Sequence, residues 1–354
     1  YAGSASQHAL RLEVATQEDA NAYDRKLLHC WADLLDRPLT EDLLPRLALP
    51  LKSGGVGAQL ASTRRHAAPW SSWAATLHGI AEDLGYAVLQ DLLDALPLLT
   101  TELEGLRAGL HAQGTEVPPE AALGAALKQA GKQRQLVAAI QRKSRKTQLS
   151  SMGDDGEKAT FRTAAGPGAG AFLLYPVCEE CELEDPLWAT SVRRRLGLPH
   201  PAASAAELPR VHATCCNVDR TGRVCGAVLD AKGKHSASCQ PGGGVVKRHT
   251  ALEKAVAGLG RRWYGIEPAT EQHIVELDRV LPDGNTQRAV LDVVLPLLSG
   301  RQLIDVTIRQ GDAGSAAAVH AAAKKDGVPS LRGEQEKHAR YPGTQLVAFA
   351  VEGC

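Results

Sequence analysis

Two aspartates stand in the middle of apolar, strand-like runs in the last third of the chain. Asp292 is the centre of the run VLDVV, and Asp305 is the centre of LIDVT. An ionised carboxylate among such side chains is costly to desolvate unless a cation lies against it. A short turn at Ser299-Gly300 separates the runs, so we expect adjacent strands with the carboxylates side by side. Two oxygen donors on a rigid sheet suit Mg²⁺ or Mn²⁺. The alternative is a hydrogen bond or ion pair for each aspartate at a strand end.

A basic side chain must accompany such a pair, to stabilise developing negative charge and to orient a water. We choose Lys337, in the helical run EQEKHARY, with Lys324 and Lys325 as alternatives. His249 lies on a preceding helix and shares its face with apolar residues at helical spacing, so it should point inward. Alone it would be a satisfied core histidine; beside a metal pair it becomes a candidate for the phosphate side or for positioning water. The residues expected on its face are Leu252, Val256, Leu259 and Trp263.

Six of the eight cysteines lie between positions 178 and 239. In a reducing compartment such a cluster is interpreted as metal ligands before disulfides. Three thiolates and one imidazole complete a tetrahedral zinc shell, and the chosen set is Cys216, Cys225, His235 and Cys239. Cys215 is an open alternative to Cys216, and unlinked thiols are the alternative to the whole site. A closed shell would be structural.

A separate Cys-x-x-Cys pair, Cys178 and Cys181, lies in an acidic run. With no second ligand pair beside it, a solvated acidic loop is favoured over a half-site for another metal.

Forty basic residues balance forty acidic ones, so a polyanionic partner would have to be engaged by local patches. Two basic stretches qualify, either as solvated helix faces or as phosphate contacts. Their candidate nucleic-acid contacts are Arg142, Lys143, Arg145, Lys146, Lys247 and Arg248. No apolar run is long enough to span a membrane, and no charged-then-apolar leader begins the sequence. We therefore expect no membrane partner and an intracellular location.

The hydrophobic periodicity divides the chain into four parts and predicts an α+β protein. Residues 1–150 should be helical, beginning with a helix capped by Thr16. Residues 151–209 should be a linker and connecting segment, and 210–244 a zinc knuckle. Residues 245–354 should form an α/β domain in the order helix, three strands, helix, strand. The corresponding ranges are 245–264, 272–277, 289–296, 301–308, 334–341 and 346–351.

These residues together resemble the C-terminal region of a non-LTR retrotransposon reverse transcriptase polyprotein, in which a zinc knuckle precedes a restriction-like endonuclease. The similarity extends over nearly the whole chain. It includes LPLKSGGVG at 49–57, DPLW at 185–188, RRLGLP at 194–199, the Cys-Cys-His-Cys order, the Arg248-His249 pair and DVT at 305–307. The first pair of knuckle ligands is usually closer in that family, and its Pro-Asp strand lacks the proline here, where Leu291 precedes Asp292.

The resemblance implies a PD-(D/E)xK nuclease core whose lysine has moved from the strand, where Thr307 now stands, to the following helix, which fits Lys337. It also implies a magnesium-dependent endonuclease that nicks target DNA in the nucleus, with structural zinc, and with target DNA and element RNA as partners. The two metal-binding aspartates of the polymerase active site in that family are missing from this sequence, so we expect no DNA synthesis. The chain is expected to resemble a fragment that begins in the helical thumb. The alternative is a zinc-stabilised remnant that binds DNA or RNA without cutting.

Overall fold

The computed structural model describes residues 16–118, 133–174, 183–200, 214–241, 243–342 and 344–352. They form two compact units, Tyr1–Ser151 and Met152–Cys354, each described by itself below. No helix in these described ranges is long and apolar enough to cross a membrane.

The first unit is helical, as predicted. Its first helix begins with a capping box in which the Thr16 hydroxyl accepts a hydrogen bond from the Asp19 amide and the Asp19 carboxylate accepts one from the Thr16 amide. The core is a cluster of buried leucines around Trp70. The helices are α1 (Gln17–Leu34), α2 (Leu44–Leu47), α3 (Ala61–Arg64), α4 (Ala67–Asp83), α5 (Leu89–Ala95), α6 (Pro97–Ala112) and α7 (Gln133–Ser151).

The second unit is built on a mixed four-stranded sheet, which confirms the α+β class. Its strands are β1 (Ala269–His273), β4 (Val290–Leu297), β5 (Gly300–Arg309) and β6 (Leu346–Glu352). They lie in the order β1-β4-β5-β6, with the first two pairings antiparallel and the third parallel. Helices cover both faces, and this explains why β4 and β5 are apolar nearly throughout.

One face of this sheet packs on α11 (Gly244–Tyr264) and the other on α13 (Val328–Arg340). On the α11 side, Val256 and Ala257 meet Val293 and Val306 in a buried cluster. On the other side, Tyr341, directly after α13, joins the cluster of Leu291, Val294 and Leu346. The sheet is therefore a rigid layer whose polar side chains have fixed positions.

The predicted strands and helices of this domain occur in the predicted order, with two insertions. The strand expected at 272–277 ends at His273, and Val275–Leu277 form a 3₁₀ turn. A two-stranded hairpin, β2 (Arg279–Val280) with β3 (Thr286–Gln287), precedes β4, and α12 (Ala316–Lys324) precedes α13. Neither insertion was predicted.

The linker and connecting segment expected at 151–209 contain two helices, α8 (Asp155–Thr163) and α9 (Asp185–Leu196). Asp154 caps α8 by accepting a hydrogen bond from the Glu157 amide, as an aspartate at the start of a helix commonly does. Phe161 is fully buried, and the Arg162 side chain donates to the Ala323 carbonyl of α12 at 2.8 Å. The structure therefore has a packed helix, α8, where a linker was predicted, because α8 packs on α12.

Candidate metal centres

The two aspartates lie on neighbouring strands, directly across from each other. Val293 on β4 pairs with Ile304 on β5, so one further step in this antiparallel register sets Asp292 opposite Asp305. The regular ladder ends there, because an oxygen of Asp292 accepts the Val306 amide hydrogen bond at 2.6 Å. Backbone pairing thus holds both carboxylates at the end of a rigid ladder.

Asp305 is almost completely buried, with 3% of its side chain exposed. Its Oδ1 accepts a hydrogen bond from Lys337 Nζ at 2.7 Å, whereas its buried Oδ2 has no hydrogen-bond partner among the described residues. Burial and the neighbouring Asp292 raise the pKa of Asp305 to about 6, although Lys337 acts in the opposite direction. A buried carboxylate oxygen without a donor fits a cation that would lie between the two aspartates.

Lys337 reaches the pair because α13 lies very close to β5. A Cβ built on Gly333 would stand 2.9 Å from Cγ2 of Thr307, so only glycine permits this separation. Lys337 is one turn later on the same helix face, and Asp305 precedes Thr307 by two residues on the same strand face. The other candidates, Lys324 and Lys325, are exposed at the end of α12.

His249 points toward the same pair from α11. Its Nε2 lies 3.4 Å from an oxygen of Asp292 and 3.2 Å from the Val306 carbonyl oxygen. His249 points inward as predicted. The prediction of which other α11 residues are buried with it was partly wrong. Leu259 and Trp263 are exposed, and the buried positions of α11 are Glu253, Val256, Ala257 and Gly260.

Three further polar residues near this pair were missed by the sequence analysis. Glu253 is buried one helical turn after His249, and burial, with Glu271 nearby, raises its pKa. Glu271 adopts a positive φ of 48° where the β1–β4 register brings it opposite Asp292. Tyr341 is buried, its hydroxyl has no partner in the described part of the chain, and burial followed by the charge of Asp305 raises its pKa. Only Glu253 had a sequence signal, its four-residue spacing from His249.

The second centre joins three thiols and one imidazole, whose ligand atoms all lie within 4.8 Å of one another. The Cys215 and Cys239 sulfurs are 3.6 Å apart, and the Cys225 sulfur is 3.4 Å from Nε2 of His235. Ligands on one tetrahedral zinc ion are separated by about 3.5–3.8 Å, as follows from ordinary zinc–ligand distances. The cluster therefore has the donor set and spacing to hold a metal such as zinc.

Cys215, not Cys216, belongs to this cluster. A short antiparallel hairpin carries the first two ligands, and its bridges join Thr214 to Val228 and Val218 to Val224. Side chains alternate between the two faces of such a hairpin, so Cys215 and Cys225 share one face while Cys216 points to the other. Cys216 is accordingly exposed and Cys215 buried. The choice of Cys216 was wrong and the open alternative, Cys215, is the residue in the cluster, because the hairpin register that separates the two depends on backbone pairing.

The other two ligands come from a short helix, α10 (Lys234–Ser238), which contains His235 and is directly followed by Cys239. The Asp230 carboxylate accepts three backbone amide hydrogens, including that of His235 at 2.8 Å. Asn217 donates from its side-chain amide to the Cys239 sulfur at 3.4 Å. These contacts orient two of the ligands from outside the cluster, as partners of metal ligands commonly do. Cys178 and Cys181 lie outside the described residues.

Contacts of Arg194 and Lys232 connect the segment that carries the cysteine cluster to other parts of the second unit. Arg194 of α9 donates to the Gly233 carbonyl at 3.3 Å and pairs with Asp312 at 3.4 Å. Lys232 forms an ion pair with Glu157 of α8. The knuckle is therefore a packed part of this unit.

The basic candidates differ in their surroundings. Arg142, Lys143 and Lys146 are exposed on α7, whose buried residues are Leu136, Val137 and Ile140. Arg145 is half-buried and donates to the Ser53 carbonyl at 3.1 Å, so it contributes to packing in the first unit. Lys247 and Arg248 are exposed in the first turns of α11.

Comparison of the chain with protein-family models, with curated proteins and with solved structures found no match. The function of the two centres must be argued from their geometry.

Proposed function

We propose that residues 245–354 are a metal-dependent endonuclease of the restriction type, in a protein of the non-LTR retrotransposon kind, and that Asp292 and Asp305 hold Mg²⁺ or Mn²⁺. One observation carries the proposal. Asp292 and Asp305 face each other at the end of a rigid strand ladder, and a buried oxygen of Asp305 has no hydrogen-bond donor in the part of the chain that the structure describes. Nucleic-acid hydrolysis is the reaction for which such a pair with an adjacent lysine is suited.

A divalent ion at this pair would polarise the scissile phosphate and lower the pKa of an attacking water. Lys337, whose Nζ is 2.7 Å from Asp305, supplies positive charge where negative charge develops on the phosphate oxygens. His249, 3.4 Å from Asp292, orients a water on the open side of the pair. Hydrolysis forms a bond from the water oxygen to phosphorus, breaks the bond to the leaving sugar oxygen, and transfers a proton to that oxygen.

The order of the elements supports the same proposal. A helix, three strands, a helix and a strand follow one another around the mixed sheet, which is the order that the resemblance implies. The lysine comes from α13 while Thr307 takes the usual strand position, again as the resemblance implies.

Nicking of supercoiled plasmid in Mg²⁺ tests the proposal. Asp292→Asn and Asp305→Asn should each lower the rate by about a hundredfold or more, since each removes a metal ligand at the reacting phosphate. Asp283→Asn is the matched control, because Asp283 is an exposed carboxylate in the hairpin turn of the same unit. Equal nicking by wild type and by Asp292→Asn, or none by either, would exclude the enzyme.

A second function, zinc-stabilised binding of DNA or RNA without cutting, is favoured by one observation. Lys337 already neutralises Asp305, so the pair can persist as a structural ion pair without a metal. In that case the wild type binds nucleic acid and does not nick, and Asp305→Asn changes only the stability of the fold.

A further inference from the structure

An open cleft of about 380 Å³ lies between the cysteine cluster and the aspartate pair. Its walls come from three places in the second unit: Ser238 and Gln240 on either side of Cys239, Arg248 and His249 in α11, and Arg309 and Gln310 at the end of β5. Its volume is in the range of small-ligand sites. The cleft was not foreseen, because its walls are far apart in the sequence.

Two arginines, Arg248 and Arg309, line the cleft. Arg248 is exposed, and burial of part of its side chain, together with nearby Arg194, lowers its pKa. Among the lining residues that the structure describes there is no carboxylate.

Two guanidinium groups keep unused donors near this surface. The Nε atoms of Arg194 and Arg309 are both buried without a hydrogen-bond partner among the described residues, although each side chain has an acidic partner, Asp312 and Glu336 respectively. Of the two, only Arg309 lines the cleft. Its guanidinium is paired with Glu336 and is still partly exposed, so its terminal nitrogens can also contact a phosphate there.

The cleft is continuous with the aspartate pair. His249 forms part of its wall and also lies 3.4 Å from Asp292. Thr307, two residues after Asp305, lines it as well. A DNA strand whose scissile phosphate lies at Asp292 and Asp305 can therefore place an adjoining nucleotide in the cleft.

We propose that this cleft binds a backbone phosphodiester of the DNA strand that is cut at Asp292 and Asp305, with Arg248 as its main cationic contact and the amides of Gln240 and Gln310 beside it. The proposal rests on the nuclease function proposed above and specifies how its substrate continues toward the cysteine cluster. Contacts to phosphates fix the position of a strand without selecting its sequence, so the cleft would set the position of the cut within a bound strand.

Salt-dependent binding tests the proposal. The probe is a fluorescein-labelled 20-base-pair DNA, with an RNA duplex of the same sequence in parallel, and anisotropy gives the affinity. All proteins carry Asp292→Asn so that the probe is not cut. Arg248→Gln removes the charge, Arg248→Lys keeps it, and Arg262→Gln is the control because Arg262 is an exposed arginine at the other end of α11.

Loss of one phosphate contact should lower the slope of log affinity against log salt by about one unit and weaken DNA binding several-fold at physiological salt. We expect this change for Arg248→Gln, a slope near that of the parent for Arg248→Lys, and no change for Arg262→Gln. A loss seen with DNA alone, or equally with DNA and RNA, supports the cleft as a phosphodiester site. A loss confined to RNA, or equal slopes for all four proteins, would overturn it.

The nuclease and the cleft can fail separately. If the protein with Asp292 intact nicks plasmid but Arg248→Gln leaves the slope unchanged, the cleft proposal is wrong and the nuclease stands. If the slope falls but the protein does not nick, the phosphate site stands as part of a binding module and its assignment to a cut strand is overturned.

Discussion

The cysteine cluster and the aspartate pair are both candidate metal centres within one unit, and they are built in opposite ways. The cluster takes four ligands from residues 215–239, so a short segment closes the whole shell. The aspartate pair supplies two ligands from adjacent strands, and the nearby cation, Lys337, comes from a helix 32 residues after Asp305. A closed shell of soft ligands stabilises a fold, whereas a partial shell of oxygens leaves positions for water and substrate.

The largest effect should follow from breaking the closed shell. Cys215→Ser and His235→Ala should reduce the zinc content from about one ion per chain to near none, because structural zinc sites need all four ligands. Since zinc binding contributes about 10–16 kcal/mol to folding of isolated fingers, the knuckle should unfold on its loss. Elemental analysis with circular dichroism measures both effects.

Cys216→Ser is the matched control for this prediction. Cys216 is exposed and adjacent in sequence to Cys215, so its substitution should leave the zinc content unchanged. The hairpin register assigned above is wrong if Cys216→Ser loses the metal and Cys215→Ser keeps it.

Metal binding at the aspartate pair should depend on pH. The pKa of Asp305 is raised from 3.8 to about 6 by burial and by Asp292, so the folded chain holds this proton more tightly than the unfolded chain does. The contribution of Asp305 to stability is therefore fully present below pH 3.8 and is lost as the pH rises to about 6. Because a metal must displace the proton, Mg²⁺ affinity should rise about tenfold per pH unit below the pKa and level off above it.

Calorimetric titration with Mg²⁺ between pH 5 and pH 8 measures this dependence, with the zinc content checked at each pH. Lys337→Met should raise the pH at which the Mg²⁺ affinity levels off, because the Lys337 amine lowers the pKa of Asp305. Asp305→Asn should abolish the dependence. Affinity that stays constant from pH 5 to pH 7 would contradict a metal site at this carboxylate.

A smaller effect should come from the helix that carries the lysine. Gly333→Ala would place a Cβ 2.9 Å from the Thr307 methyl and should cost about 1–3 kcal/mol of unfolding free energy by overpacking. It should also move Lys337 away from Asp305 and slow nicking. Gly258→Ala is the matched control, since a Cβ there meets nothing within 4 Å and alanine favours a helix by about 1 kcal/mol. If both variants are equally stable to urea, α13 does not need its close approach to β5.

The sequence predicted the elements whose patterns are local. The apolar strands around Asp292 and Asp305 and the helix that carries Lys337 were found because each has its own periodicity and composition. What was missed depends on contacts between distant segments. Cys215 could be chosen only from the hairpin register. Asp154 is a local start signal for α8, but the packing of α8 on α12 joins segments far apart in the sequence. Glu271 has no local signal at all, because its backbone conformation and its position opposite Asp292 both arise from the pairing of β1 with β4.

The smallest effect should come from Glu271, and two substitutions separate strain from charge. A positive φ costs an ordinary residue about 1–2 kcal/mol, and glycine removes that cost at an entropic penalty of about 0.5–1 kcal/mol. Glu271→Gly should therefore raise the unfolding free energy slightly, while Glu271→Gln should leave it unchanged. If the Glu271 carboxylate helps to attract the ion at Asp292, Glu271→Gln should weaken Mg²⁺ binding by about two- to fivefold, the range of an exposed charge interaction. Unchanged Mg²⁺ affinity in Glu271→Gln would show that the strained conformation serves the β1–β4 pairing alone.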